Sequence, residues 1–157
     1  MKEDLARMAK YHGVPIVPPK DPRAMFDTLG AQRLLTAAAM DHPQSLERLT
    51  RELWRRIWGG GGEIVSAQGL GEACSRAGLA ADATQFILSR AGEAEVKACL
   101  KETTDEALDR GAFGAPWTTI RVDDGTWEAF FGCDRFEVLA EALGKPWLGP
   151  HPPLSKL

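Results

Sequence analysis

The sequence predicts a mostly helical α+β fold, in which a helical body precedes one β-hairpin and a final helix. Two observations favour this fold class. Up to Gly111, apolar residues recur at helical spacing in successive segments, several of which end in glycine, as helices often do. After Gly111, "WTTIRVDDGTWEAFF" places the turn signal "DDG" between two runs that contain β-branched and aromatic residues. The chain therefore combines a helical body with a short antiparallel sheet.

The helices can be assigned in order along the chain. The first, "KEDLARMAKYHG", is followed by "VPIVPPKDP", where four prolines in nine residues exclude a helix and favour an extended connector. A second helix is predicted in "AMFDTLGAQRLLTAAAM", with a break at Gly30, and a third in "PQSLERLTRELWRRIW", whose Pro43 suits a first turn. Three more are predicted in "SAQGLGEACSRAG", "AADATQFILSRAG" and "EAEVKACLKETTDEALDRG".

The third helix carries a buried stripe and a basic run. The predicted stripe consists of Leu46, Leu49, Leu53, Trp54 and Ile57. We interpret the basic run "RELWRRIW" as a solvated helix face. It is short, and the formal net charge of −3 argues against a nucleic-acid partner. The loop "GGGG" that follows lacks the Lys-Ser/Thr ending of a phosphate-binding loop and follows a helix, so it predicts flexibility rather than a site.

Composition limits the remaining chemistry. With 157 residues, of which 44% are hydrophobic, the chain can bury a core. Its three cysteines, Cys74, Cys99 and Cys133, are widely spaced and form no CxxC motif, and its three histidines are scattered, so we expect neither a disulfide framework nor a metal. No run reaches the roughly 18 apolar residues of a membrane span. The N-terminus is too charged for a signal peptide, so a cytosolic start and no membrane partner are expected.

The last helix is predicted in "CDRFEVLAEALG". Asp134 has the residue type of an N-cap, and Glu137 three residues later would complete a capping box. The apolar face that packs on the hairpin would consist of Phe136, Leu139, Ala140 and Leu143. Residue types alone favour a plain cap at Asp134 and a plain turn proline at Pro116.

A proline that leads into a hairpin and then a helix is also typical of the second half of a thioredoxin-like sheet. Through "HPQSLERLTRELWRRIW", "VKACLKETTDEALDRGAFGAP" and "FFGCDRFEVLAEALGKPWLGP", the chain resembles kappa-class glutathione transferases over essentially its whole length. These are DsbA-like members of the thioredoxin superfamily, related to 2-hydroxychromene-2-carboxylate isomerases. The resemblance implies an inserted helical domain at 1–98. Residues 99–157 would form the C-terminal half of the thioredoxin-like domain with its tail, and by the same resemblance the N-terminal βαβ half would be absent.

The resemblance also implies a glutathione site at Ala115, Pro116, Cys133 and Asp134. Pro116 matches a cis-proline that lets the N–H and C=O of Ala115 pair with the cysteinyl part of glutathione. Cys133 stands where serine is usual, and the Asp134 carboxylate would meet the γ-glutamyl ammonium group. The family's catalytic serine follows a leading strand and has no counterpart here. None of the chain's serines has that position: Ser45, Ser66, Ser75, Ser89 and Ser155. We therefore assign no catalytic residue and no cofactor, with glutathione as co-substrate.

Two functions follow from the resemblance. The first is a homodimeric glutathione transferase that conjugates small electrophiles or reduces peroxides. The alternative is a non-catalytic fragment or isoform that keeps a dimerisation or interaction surface, with an exposed hairpin edge and incompletely covered apolar side chains. A thiol-disulfide oxidoreductase is disfavoured by the missing CxxC. The five tryptophans receive no site role, since most are expected in the core.

The C-terminal tail contains a predicted targeting signal. Ser155, Lys156 and Leu157 match the tripeptide that the peroxisomal import receptor reads, which predicts a peroxisomal location with the mitochondrion as the alternative.

Overall fold

The structure, a computed structural model, describes residues 2–19 and 26–149. It confirms the mostly helical α+β class. The chain divides into two compact units, Met1–Lys101 and Glu102–Leu157. This division and the predicted one after residue 98 both fall inside one helix.

The elements follow the predicted order. The helices are α1 Lys2–His12, α2 Leu29–Asp41, α3 Leu46–Trp58, α4 Ala67–Arg76, α5 Ala81–Arg90, α6 Ala94–Asp109 and α7 Phe136–Ala142. The two strands are β1 Trp117–Arg121 and β2 Trp127–Phe131. None of the helices found between residues 2 and 149 is both long and apolar enough to cross a membrane.

The core of the first unit is formed by helices α2, α3, α4 and α5 and the start of α6. Its fully buried side chains include Leu34, Leu49, Ile87, Val96 and Cys74. Burial raises the pKa of the Cys74 thiol to about 11, so this side chain packs as a small apolar group instead of serving as a nucleophile.

Helix α3 differs from the prediction at two positions. Trp54, predicted in the buried stripe, is 58% exposed, whereas Leu49, Leu53 and Ile57 are buried. The helix turns about 100° per residue, which places Trp54 about 140° round from Leu49, on the opposite face. The basic run is solvated only in part, because the Arg56 side chain is just 4% exposed.

Arg56 joins α3 to the loop and helix that follow. Its Nε donates a hydrogen bond to the Glu63 C=O at 3.1 Å, and its Nη2 donates to the Glu72 carboxylate at 2.9 Å. Gly62, with φ +135°, lies so close that a Cβ there would be 2.6 Å from Arg56 Nη2. The glycine run therefore lets the loop fold over a buried guanidinium.

The Glu63 carboxylate organises the start of α4. It accepts hydrogen bonds from the Val65 N–H, the Ser66 N–H and the Ser66 hydroxyl. Partial burial alone would raise the pKa of Glu63, but the Ser66 and Val65 hydrogen bonds and the charge of Arg56 hold it below its ordinary value. Hydrogen bonds from Gln68 and Arg56 likewise lower the pKa of Glu72.

The second unit contains the predicted hairpin. Strands β1 and β2 pair antiparallel, from Trp117 opposite Phe131 to Arg121 opposite Trp127. At the turn, Asp124 accepts hydrogen bonds from the Thr126 hydroxyl and N–H, and these lower the pKa of the Asp124 carboxyl group. Because the sheet has two strands within the described residues, each strand has one unpaired edge, as expected.

Apolar side chains of the second unit are poorly covered. Ala140 is its only buried hydrophobic residue in the described ranges. The prediction for the last helix is thus wrong at Phe136 and Leu143, both of which are exposed. The expectation that most tryptophans lie in the core is also wrong, since Trp54, Trp127 and Trp147 are exposed and Trp58 and Trp117 are half-buried. The large exposed side chains here are Leu108, Phe113, Trp127, Phe131, Phe136, Val138, Leu143, Trp147 and Leu148.

Candidate functional site

The register of the hairpin brings the two predicted contact segments together. Trp117 lies opposite Phe131, and one step further the Gly132 N–H donates a hydrogen bond to the Pro116 C=O at 3.0 Å. Ala115 and Pro116 therefore lie beside the segment that leads into Cys133 and Asp134. All four predicted glutathione-binding residues are at the end of the sheet opposite the Asp124 turn.

Ala115 offers free backbone groups at this end of the sheet. The Ala115–Pro116 peptide bond is cis, which confirms that part of the prediction. Ala115 is exposed, and within the described residues neither its N–H nor its C=O forms a hydrogen bond. One donor and one acceptor are thus available to an extended ligand in the way that a strand edge is.

Asp134 is not the N-cap that its residue type predicts. Helix α7 begins at Phe136, its N-cap is Arg135, and no side chain caps it by a hydrogen bond. The Asp134 carboxylate instead forms an exposed ion pair with the Arg135 guanidinium at 3.1 Å. Gly132 allows this turn: its φ is +106°, and a Cβ there would lie 2.6 Å from Asp134 Oδ1.

Cys133 and Asp134 are both exposed. The Cys133 thiol forms no disulfide, and its neighbour presents a carboxylate to solvent. A ligand at this end of the hairpin would therefore meet a thiol, a carboxylate and the free backbone of Ala115. These groups can bind a charged peptide and orient it.

Three aromatic rings lie beside the Ala115 segment, and sequence reasoning missed them as a group. Phe113 contacts Phe131 with ring centroids 4.6 Å apart and Trp117 at 5.4 Å. Gly114 permits this contact, because a Cβ there would be 3.0 Å from the Phe131 ring. Phe113 is 74% exposed. The sequence signal that could have predicted this cluster is the pair of aromatic residues, Phe113 and Trp117, that flank the segment 114–116.

The serines of the described residues have structural surroundings. The Ser45 hydroxyl donates to the His42 C=O, the Ser66 hydroxyl caps α4 through the Gly69 N–H, and the Ser89 hydroxyl donates to the Phe86 C=O. Together with Ser75 on α4, they all precede both strands. Ser155, with the rest of the predicted targeting tripeptide Ser155, Lys156 and Leu157, lies outside the described residues.

Potential metal ligands do not cluster within residues 2–19 and 26–149. No group of three or more His, Cys, Asp or Glu side chains there is placed to hold an ion.

Comparison with known proteins defines the family. The DsbA-like thioredoxin domain family matches residues 1–144. Glutathione S-transferase kappa 1 of Homo sapiens is 40% identical over 156 residues, which cover 98% of this chain and 69% of that protein. The chain belongs to the kappa-class glutathione S-transferase family.

Other kappa-class relatives agree. Glutathione S-transferase kappa 1 of Rattus norvegicus is 42% identical over 96% of this chain and 68% of its own length. The protein of the same name from Caenorhabditis elegans is 32% identical over 93% of this chain and 65% of its own length. The predicted family is thus confirmed, while the four kappa-class contact residues remain predictions whose positions the structure brings together.

Proposed function

We propose that this chain acts in a glutathione transferase and binds glutathione at the open end of the hairpin. The binding residues there are Ala115, Pro116, Cys133 and Asp134. The observation that carries the proposal is the register that sets Ala115 and Pro116 beside the Gly132–Asp134 segment. Membership of the kappa class supports glutathione as the ligand.

In the proposed complex, glutathione adds to the sheet as a short extended strand. The Ala115 N–H donates to the cysteinyl C=O, and the cysteinyl N–H donates to the Ala115 C=O. The Asp134 carboxylate pairs with the γ-glutamyl ammonium group, in competition with the exposed Arg135 guanidinium that it contacts now. Backbone pairing fixes the position of the sulfur, while the ion pair sets the direction of the peptide.

The proposed reaction joins the glutathione sulfur to a small electrophile. The thiol gives its proton to solvent, the thiolate forms the carbon–sulfur bond, and the leaving group departs with its electron pair. Reduction of a peroxide would consume two glutathione thiols and yield glutathione disulfide, an alcohol and water. The exposed Phe113 ring beside Ala115 provides an apolar surface for the electrophile. This chain's own residues would then position glutathione, since no catalytic side chain is assigned.

The test is a glutathione titration by calorimetry together with conjugation to 1-chloro-2,4-dinitrobenzene, both with the 157-residue chain. Binding with turnover above the uncatalysed rate supports the transferase. Binding without turnover supports the alternative of a non-catalytic chain with an interaction surface. Absence of binding at millimolar glutathione contradicts the proposed site itself.

Cys133→Ser is expected to keep or improve glutathione affinity, by up to about threefold. A serine hydroxyl is a better hydrogen-bond donor than a thiol, and the backbone at this position is unchanged. Calorimetric titration of the variant measures this effect, with Cys99→Ser as a control from outside the site. Clearly weaker binding by Cys133→Ser alone would show that the position of this contact is wrong.

A homodimer is proposed from the nine large apolar side chains that the second unit exposes, since patches of this kind mark interaction surfaces. Sedimentation velocity at rising protein concentration tests it. A chain that sediments as a monomer up to about 100 μM would contradict the proposed homodimer.

A peroxisomal location is proposed where Leu157 is the C-terminal residue of the protein. A fluorescent protein fused before Met1 is expected to give peroxisomal puncta in cells, and removal of Ser155–Leu157 is expected to disperse them. Puncta that persist without the tripeptide, or a mitochondrial pattern, would contradict the proposal.

A further inference from the structure

We propose that a groove in the first unit, between residues 13–16 and helix α3, binds a small organic anion with an aromatic or aliphatic body. The groove encloses about 990 Å³, at the upper end of the range for small-molecule sites. None of the residues proposed for glutathione lines it.

The walls come from two segments that are fixed to each other. On one side, Val14, Pro15 and Ile16 follow α1; on the other, α3 presents the exposed Trp54 and the half-buried Trp58. The Val17 N–H donates to the Trp58 C=O at 2.5 Å, and Val17 forms a parallel bridge with Gly59. The groove is therefore closed at one end by backbone pairing and is not a gap beside a loose loop.

Helical periodicity explains why this face of α3 is suited to a ligand. Arg51, Trp54, Arg55 and Trp58 are spaced i, i+3, i+4 and i+7, so they form one continuous stripe opposite the buried face. Because indole and guanidinium groups alternate along the stripe, one surface offers both apolar area and hydrogen-bond donors.

The charges around the groove favour an anion. Arg51, Arg55 and Arg76 line it with one carboxylate, Glu52, and Glu47 outside the lining pairs with Arg51, which leaves a local formal charge of +1 in a chain whose net charge is −3. Glu52 is nearly buried at the base of these arginines, and its oxygens lie 3.9 Å from Arg55 and 3.7 Å from Arg76. At these separations Glu52 balances part of the charge without occupying the guanidinium donors.

Two of the guanidinium groups have all their donors available. Within the described part of the chain, neither Arg55 nor Arg76 donates a hydrogen bond, and both side chains are mostly exposed. Each guanidinium can present a planar pair of N–H groups to a carboxylate, sulfonate or phosphate. Arg51 is paired with Glu47 at 2.8 Å, which offsets much of its charge, so Arg55 and Arg76 are the main donors for the ligand.

The apolar wall determines the rest of the ligand. Trp54 is 58% exposed, an unusual position for an indole, and Val14 is also exposed. A ring or alkyl body that lies on Trp54 would cover this surface while its acid group reaches Arg55 and Arg76. The proposed ligand class is thus an amphipathic monoanion or dianion of up to roughly drug size.

The test compares a charged dye with a neutral one. The 157-residue chain is titrated with 1-anilinonaphthalene-8-sulfonate and with the uncharged N-phenyl-1-naphthylamine, and dye fluorescence is followed. Replacing both Arg55 and Arg76 with glutamine is expected to weaken binding of the sulfonate by at least about tenfold and that of the neutral dye by less than about twofold. Trp54→Ala is expected to weaken binding of both dyes.

Controls separate the groove from general dye binding and from misfolding. Arg48→Gln, an exposed arginine on α3 outside the groove, is expected to leave sulfonate binding unchanged. Arg51→Gln is a second, single substitution, expected to weaken sulfonate binding by about threefold with unchanged helical circular dichroism. Equal sulfonate affinity in the wild type and the Arg55/Arg76 variant, or an equal loss with Arg48→Gln, would overturn the proposal.

Discussion

Replacing Arg56 with alanine is expected to lower the free energy of unfolding of the helical unit by about 2–3 kcal/mol. The substitution removes the hydrogen bonds to the Glu63 C=O and the Glu72 carboxylate and leaves a space beneath Gly62. A fully buried ion pair would cost more, but Glu72 is half-exposed, so water can hydrate the carboxylate that remains. Urea unfolding followed by circular dichroism at 222 nm measures the change.

The neighbouring Arg55 provides the matched control. It lies in the same basic run on the same helix, but its side chain is 71% exposed and its closest carboxylate is 3.9 Å away. Arg55→Ala is therefore expected to change the unfolding free energy by less than about 0.5 kcal/mol. Equal losses in the two variants would contradict a specific contribution from the buried hydrogen bonds of Arg56.

Methylation of the cysteinyl amide nitrogen of glutathione is expected to weaken binding by about tenfold or more. The methyl group removes the N–H that donates to the Ala115 C=O in the proposed pairing, and it also blocks close approach to the unpaired backbone at the start of β1. Changing the ligand leaves the protein intact, so misfolding cannot explain the result. Calorimetric titration of the two peptides against the same sample measures the ratio of dissociation constants.

Glutathione methylated at the glycyl amide nitrogen is the matched control. It has the same mass and charge as the peptide methylated at the cysteinyl nitrogen. The glycyl N–H that it lacks has no partner in the proposed pairing, so its affinity is expected to stay within about twofold of that of glutathione. If both methylated peptides bind as glutathione does, strand addition at Ala115 is wrong, whatever the activity of the chain.

Local signals made much of the fold predictable. "DDG" between two β-rich runs fixed the hairpin, and apolar periodicity with glycine ends located the helices. The resemblance, together with the position of Pro116 before the hairpin, predicted the cis peptide bond that the structure contains. In each case the decisive interactions lie within a few residues, where sequence patterns are most informative.

The features that the sequence analysis missed depend on partners distant in sequence, on the angular position of a residue about its helix axis, or on the direction of a turn. Arg56 can be buried because Glu72, 16 residues later, supplies a carboxylate, and no local sequence pattern predicts that pairing. Trp54 was predicted in the buried stripe of α3, but its angle about the helix axis, about 140° from Leu49, places it in solvent. The cap at Asp134 failed because Gly132 turns the chain so that the carboxylate meets Arg135 instead of the helix N–H groups.

The location of bound glutathione can be read from backbone amide chemical shifts of the 15N-labelled chain during a titration. The largest shifts are expected at Ala115, Cys133 and Asp134, the residues that the hairpin register brings to one end of the sheet. Saturable shifts confined to Met1–Lys101, or no shifts at saturating glutathione, would contradict a glutathione site at this end of the hairpin.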